Sequence, residues 1–207
     1  MTRRTRHRLA AVLSAALFGC ASPVATHFYT LMPVPTADSV VGAAPVAPTW
    51  ELLPVTVPTQ VDQPPWVVRL PDDTLAVLEQ ERWISPLADE VRAALSEHLR
   101  QTVPPAVIAS TTAAPRWRVA VEVLRFESLP GRLARIDAQW MLRAIEGSSA
   151  PALHCQASFS QPAPGGYAAL AVAHRAALVQ LGDAISAGLV ALGKGASPGC
   201  GPARAGN

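Results

Sequence analysis

The sequence predicts an α+β domain, a mostly antiparallel sheet with two main helices packed on one face. Stretches with apolar residues at every second position lie on both sides of a segment in which they recur every four positions. A second, longer helical pattern closes the ordered part of the chain. The 207 residues contain no internal repeat, and residues 28–192 suit one domain.

The first half of the domain predicts four short strands. They are expected at 28–31, 50–57, 66–70 and 75–80, where β-branched, aromatic and other apolar residues cluster between turn-forming residues. Residues 33–49 are rich in proline and alanine and predict a loop, because proline removes the donors that a sheet needs.

The clearest helix start follows these strands. Ser85 is a suitable N-cap, Pro86 suits the first helical position, and Asp89 and Glu90 favour the positive end of the helix dipole. An apolar stripe then recurs every four residues: Leu87, Val91, Leu95 and Leu99. The helix must end before Pro104.

The second half predicts a meander and a final helix. Alternating residues at 117–123, 136–142 and 153–159 indicate three antiparallel strands, with Trp140 on the buried face. Leu129 to Arg132 reads as a turn. Residues 167–192 predict the longest helix, in which His174 is expected to be a half-buried structural residue. Residues 193–207 predict a Gly/Pro-rich tail with little tendency to order alone.

The N-terminus predicts a lipoprotein signal. Four arginines precede a short uncharged run that ends at Gly19, and Cys20 follows. Leu17-Phe18-Gly19-Cys20 resembles the bacterial lipobox, which implies that residues 1–19 are removed and that Cys20 receives diacylglycerol and palmitate. The alternative is an ordinary signal with a chance cysteine, but no Ala-x-Ala site lies near. Residues 20–27 would then be a tether.

Charge and hydropathy restrict the surroundings of the mature chain. Removing the four signal arginines from the formal charge of +2 leaves about −2, which gives no basic surface for nucleic acid. No second apolar run is expected to reach membrane-spanning length, so the acyl chains are the expected membrane contact. Ala21, in place of a retention aspartate, points to the periplasmic face of the outer membrane.

No motif predicts catalysis, a metal or a cofactor. The nucleophile elbow, phosphate loop, dinucleotide fingerprint and zinc-protease motifs are absent. His98 follows Glu97 but has no second ligand one turn later, so it is read as a solvated or stripe-flanking residue. His154 and Cys155 are neighbours on one strand and point to opposite faces, which disfavours a nucleophile–base pair.

Two cysteines remain once Cys20 is lipidated. Cys155 and Cys200 would both lie in an oxidising compartment, where a pair favours a disulfide. A redox or metal pair is the alternative, but no Cys-x-x-Cys spacing supports it. We expect the bond to dock the tail.

The segment from Gln63 to Leu70 is the predicted contact surface for a partner. Pro64 limits further strand pairing, and Trp66 and Arg69 are residue types enriched at interfaces. The alternative is that Trp66 caps the core and Arg69 is a solvated strand residue.

The order of several short motifs after the lipobox resembles the ABC-type transport auxiliary lipoproteins, the paraquat-inducible protein C-like family. The motifs are Phe28-Tyr29-Thr30-Leu31, Val67-Val68-Arg69, Glu81-Arg82-Trp83-Ile84-Ser85-Pro86-Leu87, Arg125-Phe126-Glu127, Ala138-Gln139-Trp140 and Tyr167-Ala168-Ala169-Leu170. The resemblance implies a non-catalytic accessory subunit of an intermembrane phospholipid transport system that supports outer-membrane integrity. Implied partners are a mammalian-cell-entry-type membrane-anchored substrate-binding protein and an inner-membrane transporter, with assembly of several copies left open.

Two other functions are weighed against this one. A periplasmic lipid carrier would need a continuous apolar cavity of several hundred Å³ between sheet and helices. An envelope hydrolase would need a converging set of catalytic residues. A solid core with an exposed apolar patch would instead favour an adaptor.

Overall fold

A computed structural model describes residues 24–33, 48–104, 116–146, 151–196 and 199–200 of the chain. The predicted signal at 1–19, the lipidation site Cys20, most of the loop predicted at 33–49 and the end of the tail lie outside these residues.

Within the described residues the chain forms seven strands and two helices, in an order that follows the prediction. The strands are β1 His27–Tyr29, β2 Thr49–Leu52, β3 Pro65–Arg69, β4 Leu75–Trp83, β5 Arg116–Leu129, β6 Leu133–Glu146 and β7 Leu153–Pro162; the helices are α1 Leu87–Thr102 and α2 Tyr167–Gly193.

The strands form two sheets, and the α+β class is confirmed. One sheet has the order β1-β4-β3 and the other the order β2-β5-β6-β7. Three strand pairs are antiparallel, as predicted, but β1 with β4 and β2 with β5 are parallel. Parallel partners need long crossover connections, so the alternation within a strand carries no signal for them.

The core lies between the four-stranded sheet and the helices. Helix α2 covers the inner face of β6 and β7, and α1 packs along α2. Trp140 of β6 is buried on that inner face, as predicted. The turn between β5 and β6 also matches, because Gly131 has φ of 72° and Arg132 N–H donates to Leu129 O. A positive φ at this position is what a type II turn requires.

A β-bulge divides β5 into two parts. The register with β6 shifts between Val123 and Arg125, which leaves Leu124 as the extra residue. Odd-numbered residues face the core before the bulge, whereas Phe126 and Ser128 face it afterwards. The predicted strand therefore stops at Val123, where the alternation changes phase, although the strand itself continues to Leu129.

Helix α1 begins one residue later than predicted. Pro86 is the cap and Ser85 makes no capping bond to the helix backbone. The Ser85 hydroxyl instead donates to the buried carboxylate of Glu90, 2.5 Å away. A carboxylate within reach competes for the hydroxyl, which a capping rule based on residue type does not take into account.

Helix α2 corrects the expectation that no second run has membrane-spanning length. By length and composition it could cross a bilayer, yet half of its most apolar stretch is buried in the protein. Two glycines permit its close packing: a Cβ at Gly182 would collide with the ring of His98, and one at Gly188 would stand 2.8 Å from Leu142 Cδ1. The apolar character of α2 is therefore accounted for in part by the core.

Candidate functional site

Trp66, predicted at the contact surface, lies inside the core. Its ring packs against Tyr29 at 5.1 Å and Trp83 at 4.3 Å between centroids. Its Nε1–H donates to Ser128 Oγ over 2.9 Å, and only 1% of the residue is exposed. Trp66 thus takes the alternative role considered for it, a core residue at the junction of the two sheets.

His174 lies in the same cluster and is fully buried, so the expectation of a half-buried residue is wrong. Its ring stacks on Phe126, with centroids 3.9 Å apart and planes at 7°. Burial lowers the pKa of His174 to about 3. Nε2 of the neutral ring is hydrogen-bonded to Ser128 Oγ at 2.8 Å. Because Ser128 and His174 are both buried, the pair joins sheet to helix instead of facing a substrate.

Arg69 faces outward and belongs to a line of alternating charges. Its guanidinium pairs with Asp73 at 2.9 Å and with Glu127 at 3.0 Å. The line continues on the outer face of the four-stranded sheet, where Arg125 contacts both Glu127 and Asp137. The hydrogen bond to Asp73 and the pairing with Glu127 raise the pKa of Arg69. These charges are mutually compensated, so they set orientation more than net attraction.

Apolar side chains surround Arg69 on this surface. Leu75 is 53% exposed, Val77 49%, and Leu124 39%, and Leu70 lies beside them in sequence. Leu75 pairs with Arg69 across the β3–β4 ladder. We call Leu75, Val77 and Leu124, together with Arg69, the outer patch. Leu124 is exposed by the β5 bulge, and the break in alternation after Val123 is the sequence signal that could have revealed it.

Two grooves border β5. The smaller, of about 250 Å³, lies between β3 and β5. Its walls include Val67, Arg69, Leu75, Leu124 and Glu127. The larger, of about 580 Å³, lies on the outer face of the four-stranded sheet. It is lined by the segment after β2 and by outward residues of three strands: Leu53, Pro54, Thr56, Ala120, Glu122, Gln139, Met141, His154 and Gln156.

The described side chains between sheet and helices are closely packed. Side chains with no exposed surface come from all three layers: Leu95 and Leu99 of α1, Leu181 and Ile185 of α2, and Leu142 of β6. The cavity between the two helices measures about 100 Å³. Among the residues that the structure describes, no three His, Cys, Asp or Glu side chains are arranged to hold a metal ion.

The remaining predicted site residues lie apart from the outer patch. The structure joins Cys155 of β7 to Cys200 by a disulfide, with Cα atoms 5.3 Å apart. Pro64 is exposed, and its carbonyl accepts a hydrogen bond from Trp83 N–H. His98, read as a solvated or stripe-flanking residue, contacts Asp183 of α2 at 2.8 Å.

Solved structures with a similar fold exist. A crystal structure of an uncharacterized protein superposes with a TM-score of 0.62 at 17% identity, covering 79% of this chain and 97% of that one. A Xanthomonas campestris protein of the DUF330 family superposes with a TM-score of 0.59 at 17% identity, covering 82% and 98%. These similarities show the shared fold.

No curated protein matches the sequence. The model of one family, described as the ABC-type transport auxiliary lipoprotein component, matches residues 29–186. This range includes the last residue of β1, strands β2 to β7, α1 and most of α2. The chain therefore belongs to the ABC-type transport auxiliary lipoprotein family.

Proposed function

We propose that this lipoprotein is a non-catalytic adaptor of an intermembrane phospholipid transport system that supports outer-membrane integrity. Acylated Cys20 holds it on the periplasmic face of the outer membrane. There its folded domain binds a mammalian-cell-entry-type substrate-binding protein, which connects it to the inner-membrane transporter. Family membership supports the transport role.

The main support for the adaptor function is the position of the two grooves and of the outer patch on the surface of the domain. The larger groove lies on the outer face of the four-stranded sheet and the smaller one opens between β3 and β5, whereas the described side chains between sheet and helices are fully buried. A lipid carrier needs an enclosed apolar cavity large enough for acyl chains. An adaptor needs an exposed surface with apolar anchors and oriented charges, as the outer patch provides.

The outer patch replaces Trp66 as the core of the proposed contact. Within the predicted segment, Pro64, Arg69 and Leu70 reach the surface, and Leu75, Val77 and Leu124 extend the area across β4 and β5. Apolar side chains beside a paired arginine are typical of the centre of a protein interface. The partner is therefore expected to present apolar groups, flanked by charges of both signs.

In-cell photocrosslinking tests this contact. A photoreactive residue at Leu75 or Leu124 should capture a mammalian-cell-entry-type protein, or a second copy of this chain. The same residue at Arg92, exposed on α1, is the matched control and should capture neither. Equal capture from all three positions would contradict a specific contact at the outer patch.

Complementation gives an independent test. Leu75→Ser combined with Leu124→Ser should weaken rescue of a membrane-integrity defect at unchanged protein abundance, because both side chains are exposed in the free domain. Arg92→Ser should rescue fully. Full rescue by the double variant would remove the outer patch from the adaptor function.

The lipid anchor and the carrier alternative have separate tests. Cys20→Ala should abolish palmitate labelling and outer-membrane fractionation, and retention of both would refute the anchor. The soluble Cys20→Ala protein, purified without detergent, should contain no stoichiometric phospholipid by mass spectrometry. A bound phospholipid in this protein would favour the carrier.

A further inference from the structure

A second exposed apolar surface lies at the end of the domain where the tether enters. Phe28 is 60% exposed, Ile84 61% and Val24 72%, which makes these the three most exposed of the domain's large apolar residues within the described chain. They do not belong to the outer patch, and the adaptor function leaves them unused.

Strand pairing puts Phe28 and Ile84 on one face. Phe28 is in register with Arg82 in the parallel β1–β4 pair, and Ile84 N–H continues the ladder by donating to Tyr29 O. Side chains two residues apart on a strand share a face, so Ile84 lies on the same side as Arg82 and Phe28. The next pair, Tyr29 and Trp83, points into the core.

This face is held rigidly on the domain. Tyr29 OH donates to Glu81 over 2.6 Å, and burial together with Glu81 raises the pKa of Tyr29 to about 12. Just beyond β1, the buried carboxylate of Glu90 accepts from Thr30 Oγ1 and from Leu31 N–H, each at 2.7 Å. The direction of Phe28 is therefore set by the fold and not by the tether.

The cation on this face is Arg82, the register partner of Phe28. Within the described residues Arg82 forms no ion pair, a property that it shares with several other surface arginines. Arginine beside exposed aromatic and aliphatic side chains suits a lipid boundary, where the guanidinium meets phosphate and the apolar groups enter the acyl region.

The short segment between Cys20 and Phe28 indicates that the ligand of this face is the lipid bilayer. Cys20 precedes Phe28 by eight residues, and such a segment spans at most about 28 Å when fully extended. An acylated Cys20 therefore keeps this face within a short distance of the bilayer. The tether places no such limit on surfaces that follow β1 in the chain.

We propose that Phe28, Arg82 and Ile84 form a membrane-contact face that inserts into the phospholipid headgroup region beside the anchor and fixes the orientation of the domain. This inference rests on the proposed acylation of Cys20. An oriented domain presents the outer patch toward the periplasm consistently, because Leu75 and Val77 lie at the opposite end of β4 from Ile84.

The test uses the full-length acylated protein in vesicles of phosphatidylethanolamine and phosphatidylglycerol with brominated acyl chains. Bromine quenches tryptophan emission at the depth of the label. Phe28→Trp and Ile84→Trp are examined separately, each against the unmodified protein so that the native tryptophans cancel. Val77→Trp is the matched control, because Val77 is an exposed apolar residue of the same strand, roughly 20 Å along it.

The added tryptophan at 28 or at 84 should lose most of its emission, and the one at 77 should lose almost none. If the protein floats with the vesicles but quenching at 28 and 84 does not exceed that at 77, the membrane-contact face is refuted while the anchor stands. If the protein carries no acyl group and does not float, the anchor fails and this inference fails with it.

Discussion

Gly182 of α2 lies directly against the imidazole of His98 on α1. A Cβ at position 182 would stand 2.9 Å from His98 Cγ, closer than Cβ contacts occur in folded proteins. The same imidazole contacts Asp183 at 2.8 Å, so the ring is held in the space that the glycine leaves. The two helices therefore approach closely because one residue has no side chain.

Gly182→Ala should lower the free energy of unfolding despite alanine's better helix propensity. Propensity alone would stabilise by about 1 kcal/mol, but overpacking against a held ring costs typically 1–3 kcal/mol. His98→Ala in the same chain should recover much of the loss, and urea denaturation of the double-mutant cycle measures this coupling. Additive effects would show that the ring does not oppose the methyl group.

His174 should make stability depend on pH near neutrality. Its pKa is about 3 in the folded protein and about 6.5 when unfolded, so below 6.5 the unfolded chain binds a proton that the native state does not. The stabilising contribution is complete above pH 6.5 and falls by up to about 1.4 kcal/mol per pH unit below it.

Urea denaturation between pH 7.5 and 5.5 measures this dependence. His174→Gln is the control, because its amide can still hydrogen-bond to Ser128 but the side chain does not titrate. The variant should show a shallower decline than the parent protein. Parallel curves would mean that His174 titrates in the folded state as it does in the unfolded one.

The strand and helix positions were predictable because burial imposes a period on the sequence. Trp117 and Val119 alternate with polar residues on β5, and the α1 stripe recurs every four residues. The bulge at Leu124 leaves a trace in the sequence as the break in alternation after Val123, but the pairing with β6 decides which residue is the extra one. The parallel pairing of β1 with β4 depends in the same way on contacts between distant segments.

The candidate site was predicted less well, for a related reason. Trp66 and Arg69 have the composition of an interface, but strand pairing and the neighbouring rings decide which of them is exposed. Trp66 meets Trp83 and Ser128, which lie far from it in sequence. Composition identified the right segment for the proposal and the wrong side chain within it.

The disulfide between Cys155 and Cys200 should add stability by restricting the unfolded chain. The closed loop has a sequence separation of 45 residues, for which the chain-entropy model gives about 4 kcal/mol as an upper figure. Non-reducing peptide mass spectrometry should detect the linked pair. Cys200→Ser should lower the melting temperature, and reductant should then have no further effect on the melting temperature of this variant. Two alkylatable thiols in protein isolated from the periplasm would contradict the bond.

Trp140→Ala should be strongly destabilising because the side chain is buried on the inner face of β6. Truncating a buried aromatic residue costs about 3–5 kcal/mol. Trp140→Phe should cost much less, since it keeps the aromatic contact and removes an indole N–H that has no partner in the described structure. Chemical denaturation of both variants separates packing from the indole group, and similar losses for the two would show that ring burial is not the main term.

Trp66 and Arg69 should respond in opposite ways to substitution, although three positions separate them on β3. Trp66→Ala removes a ring that packs on Tyr29 and Trp83 and leaves Ser128 without its indole donor, so we expect a loss of about 3–5 kcal/mol and lower abundance in cells. Arg69→Ala removes an ion pair to exposed Asp73 and a part-buried one to Glu127; surface pairs of this kind contribute little to stability, so abundance should change little. The two variants are therefore compared by abundance and by capture of the partner from a photoreactive residue at Leu124.

Arg69→Ala should reduce capture at constant abundance, because its charge orients the contact, whereas Trp66→Ala should reduce both together. A stable Trp66→Ala protein would show that the aromatic cluster does not hold the two sheets together, and unchanged capture by Arg69→Ala would remove the arginine from the contact.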